Sequence, residues 1–433
     1  MLFLTSTIGV MLFAANTFAA SDTQVVFTVH AGDVTRIDSP IVVDLPAALI
    51  RSMKVSPEGW TLSEVIGKER HAVASQLLPG EPPQLAWVLA GETAAKATRL
   101  FIYTNIDSPA EKADDAAKDQ GITVVDDESH LEVLSGGKPV LRYHMAHVAP
   151  PEGADAKYGR SGYIHPVWTP GGAIVTDEFP PDHLHQDGIF LAYTKTAFEG
   201  REPNFWDLLG GTGFVRHADK RGVTEGRVCG GFRVRHEHVD NGVEGGKVAL
   251  NEEWDVRVWR TADDASQSVY RFDITSSIGC ASASPLKLPT YHYGGMAIRG
   301  ARNWVLDDVA LVTAEGQNRI DGNHARVPWV DLSGKIADDR GGKKNNIGDG
   351  WAGITVFTDP RNFRFPEPVR LHPTMPYFVY TPSVLGDWSI EPGMTLVSRY
   401  HYLVHDGKLN SEATNRLWQD IADPPKVEMA VVQ

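Results

Sequence analysis

Cysteine is nearly absent. Cys229 and Cys280 are the only two in 433 residues, and neither stands in a Cys-x-x-Cys. That excludes a disulfide-stapled scaffold and a thiolate zinc site. The two thiols could pair with each other in an oxidising compartment or stay free as small buried hydrophobes. Positive charge is short too: 41 lysines and arginines face 55 aspartates and glutamates, a formal net charge of -14. Such a chain repels nucleic acid, and it could hold an acidic polysaccharide only through a local arginine cluster. Beyond the first twenty residues no run approaches the ~20 apolar residues of a membrane-spanning helix. Convincing helical periodicity is missing outside that opening stretch and residues 106–120, and no repeat of fixed period is visible.

What is present reads as β structure. Hydrophobic content of 42% and charged content of 22% are ordinary globular values, and the 41 glycines and 27 prolines are scattered as punctuation between short strands. Residues 1–20, apolar and then small before Ser21-Asp22, have the pattern of a secretory signal peptide, so the protein is expected to be exported to the periplasm or beyond. Residues 23–105 carry β-branched runs such as Val25–Val29, Ile41–Leu45, Leu85–Leu89 and Arg99–Tyr103, expected to form a small N-terminal β-sandwich. Residues 106–120 are polar, rich in Ala, Lys and Asp, and expected to be a linker. From 121 to about 425 the strand pattern resumes: Trp254, Val256 and Val258 share one face, as do Tyr270, Phe272 and Ile274. A β region of that length predicts two large antiparallel sheets packed face to face, an all-β fold.

Chemistry concentrates between Tyr158 and His217, where Gly- and Pro-rich loops carry Arg160, Tyr163, His165, Trp168, Asp182, His183, His185, Gln186, Trp206, Asp207, Arg216 and His217. In Asp182-His183-Leu184-His185-Gln186 an extended backbone would put both imidazoles on one face. So placed, they could bind a divalent metal, or one could shuttle a proton while the other orients a hydroxyl; spacing fixes no further ligand, and a structural role is the plain reading. A second pair, His236-Glu237-His238, reads as the exposed side of a strand. Trp168 and Trp206 suit core positions, yet beside Asp and His they also suit the faces of a sugar ring. Further on, Tyr291, His292 and Arg299 flank a Gly-Gly that admits close backbone approach. The segment 361–372 mixes arginines with aromatics, a pairing for polar or carboxylated ligands, though Arg364 and Arg370 read equally as surface charges.

Taken together, RSGYIHPVWTPGG (160–172), TDEFPPDHLHQDGIF (176–190), NFWDLLGGTG (204–213), VRH (215–217), YHYGGMAIRG (291–300) and DPRNFRFPEPVRLHP (359–373) resemble the PmoA-type family of exported bacterial proteins, historically labelled "methane oxygenase". That family is similar in architecture to the galactose-mutarotase-like β-supersandwich of aldose epimerases, polysaccharide lyases and glycosidases. The resemblance implies a supersandwich after the N-terminal unit and carbohydrate chemistry; the only cofactor the residues suggest is the divalent metal that His183 and His185 could hold. It also implies that His292 stands near the proton-donating histidine of the epimerases; for their acidic base only Glu367 and Glu391 can be nominated. The expected function is a carbohydrate-active enzyme, cleaving a glycoside or rearranging a sugar. Its acid-base groups would be His183, His185 and His292 with Asp182 or Asp207. Arg160, Tyr163, His165, Trp168, Gln186, Trp206, Arg216, His217, Tyr291 and Arg299 would hold the sugar. A non-catalytic glycan-binding or surface-assembly protein and a metal-dependent oxygenase are the rivals.

Overall fold

The computed structural model describes residues 24–46, 59–105, 121–260, 269–305, 308–336 and 350–432. The segments expected to be a signal peptide (1–20) and a linker (106–120) lie outside them. Among the described residues the protein is almost wholly β, built from antiparallel sheets.

The N-terminal unit is a sandwich. Its five-stranded sheet runs in the order Lys426–Val432, Gln24–His30, Thr98–Asn105, Trp60–Ile66, Glu69–Val73, and faces a three-stranded sheet of Arg36–Asp44, Gln84–Thr93 and Ser75–Leu78. Strict alternation in Val25, Phe27 and Val29 sends every second side chain inward. There they meet Trp87 and Phe101, whose rings lie 5.6 Å apart. One strand of this sheet was not anticipated: Lys426–Val432, from the far end of the chain, pairs along the whole of Gln24–His30.

The larger unit is two eight-stranded antiparallel sheets around one shared core. The front sheet runs Val369–Leu371, Tyr377–Tyr380, Gly295–Arg299, Ile189–Ala192, Tyr163–Val167, Lys138–His144, His130–Ser135, Ile122–Asp126. The back sheet runs Gly213–Thr224, Cys229–Asp240, Lys247–Trp259, Val269–Cys280, Thr395–Asp406, Trp351–Thr358, Trp329–Lys335, Val309–Thr313. Trp254, Val256 and Val258 fill the interior with Phe272 and Ile274, as their alternation predicts. Cys229 and Cys280 are free thiols.

One element contradicts the sequence reading. Ser411–Ala422 is an α-helix, capped by the Asn410 side chain accepting from the Ala413 N–H at 3.1 Å. Its apolar stripe is only Leu417, Trp418 and Ile421, too narrow to stand out, and it lies on Trp329, Phe357 and Leu403 of the back sheet. The same helix ties the two units together, since Asp420 accepts from buried Arg36 at 3.0 Å and from Ser39 at 2.9 Å. None of the helices among the described residues is long and apolar enough to cross a membrane.

Candidate functional site

The connection 168–188 leaves the front sheet at Val167 and returns at Ile189. It closes because residue 188 is glycine: its φ is 54°, and a Cβ there would lie 1.9 Å from the Ile164 carbonyl oxygen. The backbone at His183 and His185 is not extended, as the spacing suggested, but turned. His183 N–H donates to the Pro180 carbonyl and Gln186 N–H to that of His183. The turns still place the two imidazoles edge to face, 5.5 Å between centroids.

Around them gathers a polar group drawn from four segments. Arg299, at the end of its strand, grips Asp182 with two hydrogen bonds of 3.0 and 2.9 Å and also donates to Gln186 at 3.0 Å. Burial works against charge on Asp182, but the Arg299 guanidinium holds its carboxyl below the ordinary value. His183 Nδ1 is buried without a hydrogen bond, 3.5 Å from Asp182. The ring of His372, from the connection after Val369–Leu371, meets that of His183 at 6.0 Å. His185 Nδ1 lies 4.0 Å from Asp207, itself fixed by accepting from the Leu209 N–H. Burial pushes His185 and His372 down to about 4, so both are neutral near pH 7. Beneath them Arg160, 3% exposed, reaches the His185 carbonyl at 3.3 Å and Asp187 at 3.6 Å, its guanidinium 4.8 Å above the Phe190 ring. Burial pushes the Asp187 carboxyl up to about 7 although Arg160 pulls it the other way.

Not every anticipated residue joins this group. Trp206 is 1% exposed and packs among Phe190, Tyr293 and Tyr377, so it is a core post and not a sugar platform. Tyr163 is buried and donates to Glu178 at 2.7 Å, while His165 bonds Thr176 at 2.9 Å. Trp168 lies under the Arg142 guanidinium, at 5.8 Å. His292 is exposed against Tyr291 and Tyr293. Among the described residues no hydrogen bond or ring contact joins it to His183 or His185. The acidic nominees serve structure: Glu367 is buried and accepts from Thr358, Asn362 and Tyr400, and Glu391 is exposed and bonded to Ser389.

The largest correction concerns His236 and His238. Both are 0% exposed, because the strand turns that face into the sandwich. The charged neighbour Glu237 points outward to Arg216 and Arg235. Inside, Glu252 accepts from His238 Nε2 at 2.8 Å, Trp254 Nε1 at 2.6 Å and Ser276 Oγ at 2.5 Å. Despite burial, the imidazoles of His236 and His238 hold its carboxyl well below the ordinary range. His236 Nδ1 lies 3.7 Å from Glu252, and its Nε2 meets the Tyr143 hydroxyl at 2.7 Å; that hydroxyl also meets His217 Nδ1 at 2.9 Å. Gly162, with φ 79°, permits the close approach, since a Cβ there would sit 3.1 Å from the His236 ring.

This chain has a direction. A hydroxyl carries one proton, so Tyr143 donates to one imidazole and accepts from the other. The Glu252 charge favours a proton on His236 Nδ1, leaving its Nε2 to accept from Tyr143. His217 then donates from Nδ1 to Tyr143, and its Nε2 is left as a lone pair. Burial keeps His217 neutral, its pKa down to about 4. His217 lines a cavity of about 530 Å³ with Lys157, Arg160, Ser161 and Arg216, so that lone pair belongs to a group at an accessible surface. Arg160 borders both: it lines this cavity and its guanidinium reaches the His185 carbonyl, while His185 itself does not line the cavity.

A further His-carboxylate cluster lies in a separate cavity of about 370 Å³ between the helix and the back sheet. His401 is held at 2.6 Å by Asp273 and at 3.4 Å by Asp359. Burial alone would lower it, but the two carboxylates raise it to about 9. With both nitrogens engaged it has no proton or lone pair to offer a ligand. Among the described residues no three His, Cys, Asp or Glu side chains are arranged to hold a metal ion, so His183 and His185 lack a third ligand of those types.

Residues 130–419 match the family of unknown function DUF6807, and the chain belongs to that family. Both histidine groups fall inside the matched span. Comparison with curated proteins finds no match.

Proposed function

We propose that this protein is an exported carbohydrate-active enzyme that cleaves or rearranges a saccharide by general acid-base catalysis at the His185–His217 neighbourhood. One observation carries the reading. Two imidazoles, His185 and His217, are kept neutral near pH 7, the first on a loop fixed by arginine–carboxylate pairs and the second on a strand beside the cavity. A neutral imidazole is a proton acceptor, and burial is what lowers its pKa here. Ser161 hydroxyl, Asp207 and the Arg216 guanidinium supply the directional polar contacts that sugar hydroxyls need. The resemblance to the PmoA-type family and, through it, to galactose-mutarotase-like enzymes supports the same class, and the apolar opening segment supports export.

The test is product, not binding. The purified protein and its His185→Ala variant are incubated with a glycan panel, and masses are compared. Product from the parent but not from a folded His185→Ala supports the reading. Glycans that bind both proteins and emerge unchanged in mass and in anomeric or epimeric form would replace it with a non-catalytic glycan-binding role.

A further inference from the structure

The cavity beside His217 stands out electrically in a chain of net charge -14: its lining side chains include Lys157, Arg160, Arg216 and His217 and no carboxylate. Three of these differ in how far their charge is already used. Arg216 is paired with Glu237 at 2.7 Å. Arg160 is not fully used, since its Nε and Nη2 are buried and carry no hydrogen bond, and its nearest carboxylate, Asp187, stands 3.6 Å from Nη1. Lys157 has no ion pair among the described residues, and its ammonium lies over Gly211, 3.6 Å from where a Cβ would project. Those Arg160 atoms have no accessible surface, so its charge acts on the cavity from behind the wall and not by contact. Ser161 Oγ accepts from the His217 N–H at 3.0 Å, which leaves its own proton to donate into the cavity.

We infer that this cavity is an anion subsite that recognises the carboxylate of an acidic saccharide, so that the substrate class is a uronate-containing glycan. Lys157 and Ser161 meet the carboxylate, and Arg160 supports it from the wall. The inference rests on the saccharide reading above and narrows it. A carboxylate suits a site that offers one ammonium and one hydroxyl with a guanidinium charge behind them. It also resolves how an acidic protein would hold an acidic sugar: repulsion acts at long range, while the local patch is positive.

The probe is a set of uronate oligosaccharides, each paired with its carboxyl-reduced twin, measured by titration calorimetry on the full-length protein. The expected result is saturable binding of at least one uronate oligomer, roughly tenfold or more tighter than its twin. Lys157→Ala should remove most of that preference while leaving the thermal midpoint in place, because the side chain is exposed. Arg160→Gln, which removes the charge behind the wall, should weaken the acid without weakening the twin. Equal binding of the twins, or saturable binding of none, overturns the subsite. A preference that survives in both variants overturns it as well. Uronate binding without product would retain the subsite and remove the enzyme. Product from neutral glycans alone would do the reverse.

Discussion

The protein carries two His-x-His pairs at identical spacing, and they live in opposite worlds. His236 and His238 sit on a regular strand, sealed between the sheets and bound to an ionised Glu252. His183 and His185 sit in a turned loop, half-buried, with Asp182 and Asp207 at 3.5 and 4.0 Å. Two-residue spacing gives one face on a strand but says nothing about which face is sealed. That is decided by neighbours distant in sequence: the Glu252 and Ser276 positions on adjoining strands for one pair, and Arg299 and His372 for the other. The first arrangement holds the sandwich and sets a tautomer. The second leaves imidazole edges where a ligand can reach them.

Breaking that contrast starts with Glu252→Ala. Removing the carboxylate orphans His238, Trp254 Nε1 and Ser276 inside the core, and unfolding in urea should show a loss of about 3–5 kcal/mol. A loss below ~1 kcal/mol would mean the buried pair is no structural element. His185→Ala should do the opposite, lowering turnover by about 10²–10⁴-fold with an unchanged urea midpoint. If it unfolds the protein instead, the loop pair is structural too.

Stability against pH sharpens the comparison on a smaller scale. His185, His217 and His372 have folded pKa values near 4, against an ordinary 6.5. On acidification the unfolded chain takes up their protons first, so stability falls from roughly pH 6.5 to 4. His401, raised to about 9, acts with the other sign. Its stabilisation is full below roughly pH 6.5 and disappears as pH climbs through its folded value. Urea unfolding across this range should therefore peak near neutrality, and His401→Gln should flatten the alkaline limb. An alkaline limb untouched by that change would assign it to other groups. The smallest effect is expected for Tyr143→Phe, which removes one hydroxyl between two imidazoles. A loss of about 1–2 kcal/mol is expected, along with a shift in the ¹⁵N resonances of His217 as its tautomer is released. Unmoved His217 resonances would show that Tyr143 does not set the tautomer.

Most of the fold could be read in advance because alternation is local. Val25, Phe27 and Val29, or Trp254, Val256 and Val258, declare their buried face within one strand. The helix 411–422 escaped because Leu417, Trp418 and Ile421 are buried only by a sheet the local pattern does not mention. The site was legible in part. Gly- and Pro-rich loops pointed to the Asp182–Gln186 stretch, which is turned, and Arg299 pairs with its Asp182. What failed was everything that depends on register. Trp206 became a core post, His292 made no hydrogen bond or ring contact with His183 or His185 among the described residues, and the Glu252–His236–Tyr143–His217 chain, spread over three strands of one sheet and one of another, leaves no signature in sequence. A polar residue at an inward position of an otherwise apolar strand, Glu252 beside Leu250 and Trp254, was the one available clue.

The strand Lys426–Val432 has a consequence for how the chain is made. It zips to Gln24–His30 over its full length, so that strand has one flank vacant until a segment about four hundred residues later in sequence arrives. Until then the edge of Gln24–His30 is an open template for any passing extended peptide. A chain cut before residue 426 would leave the smaller sandwich with an adhesive seam.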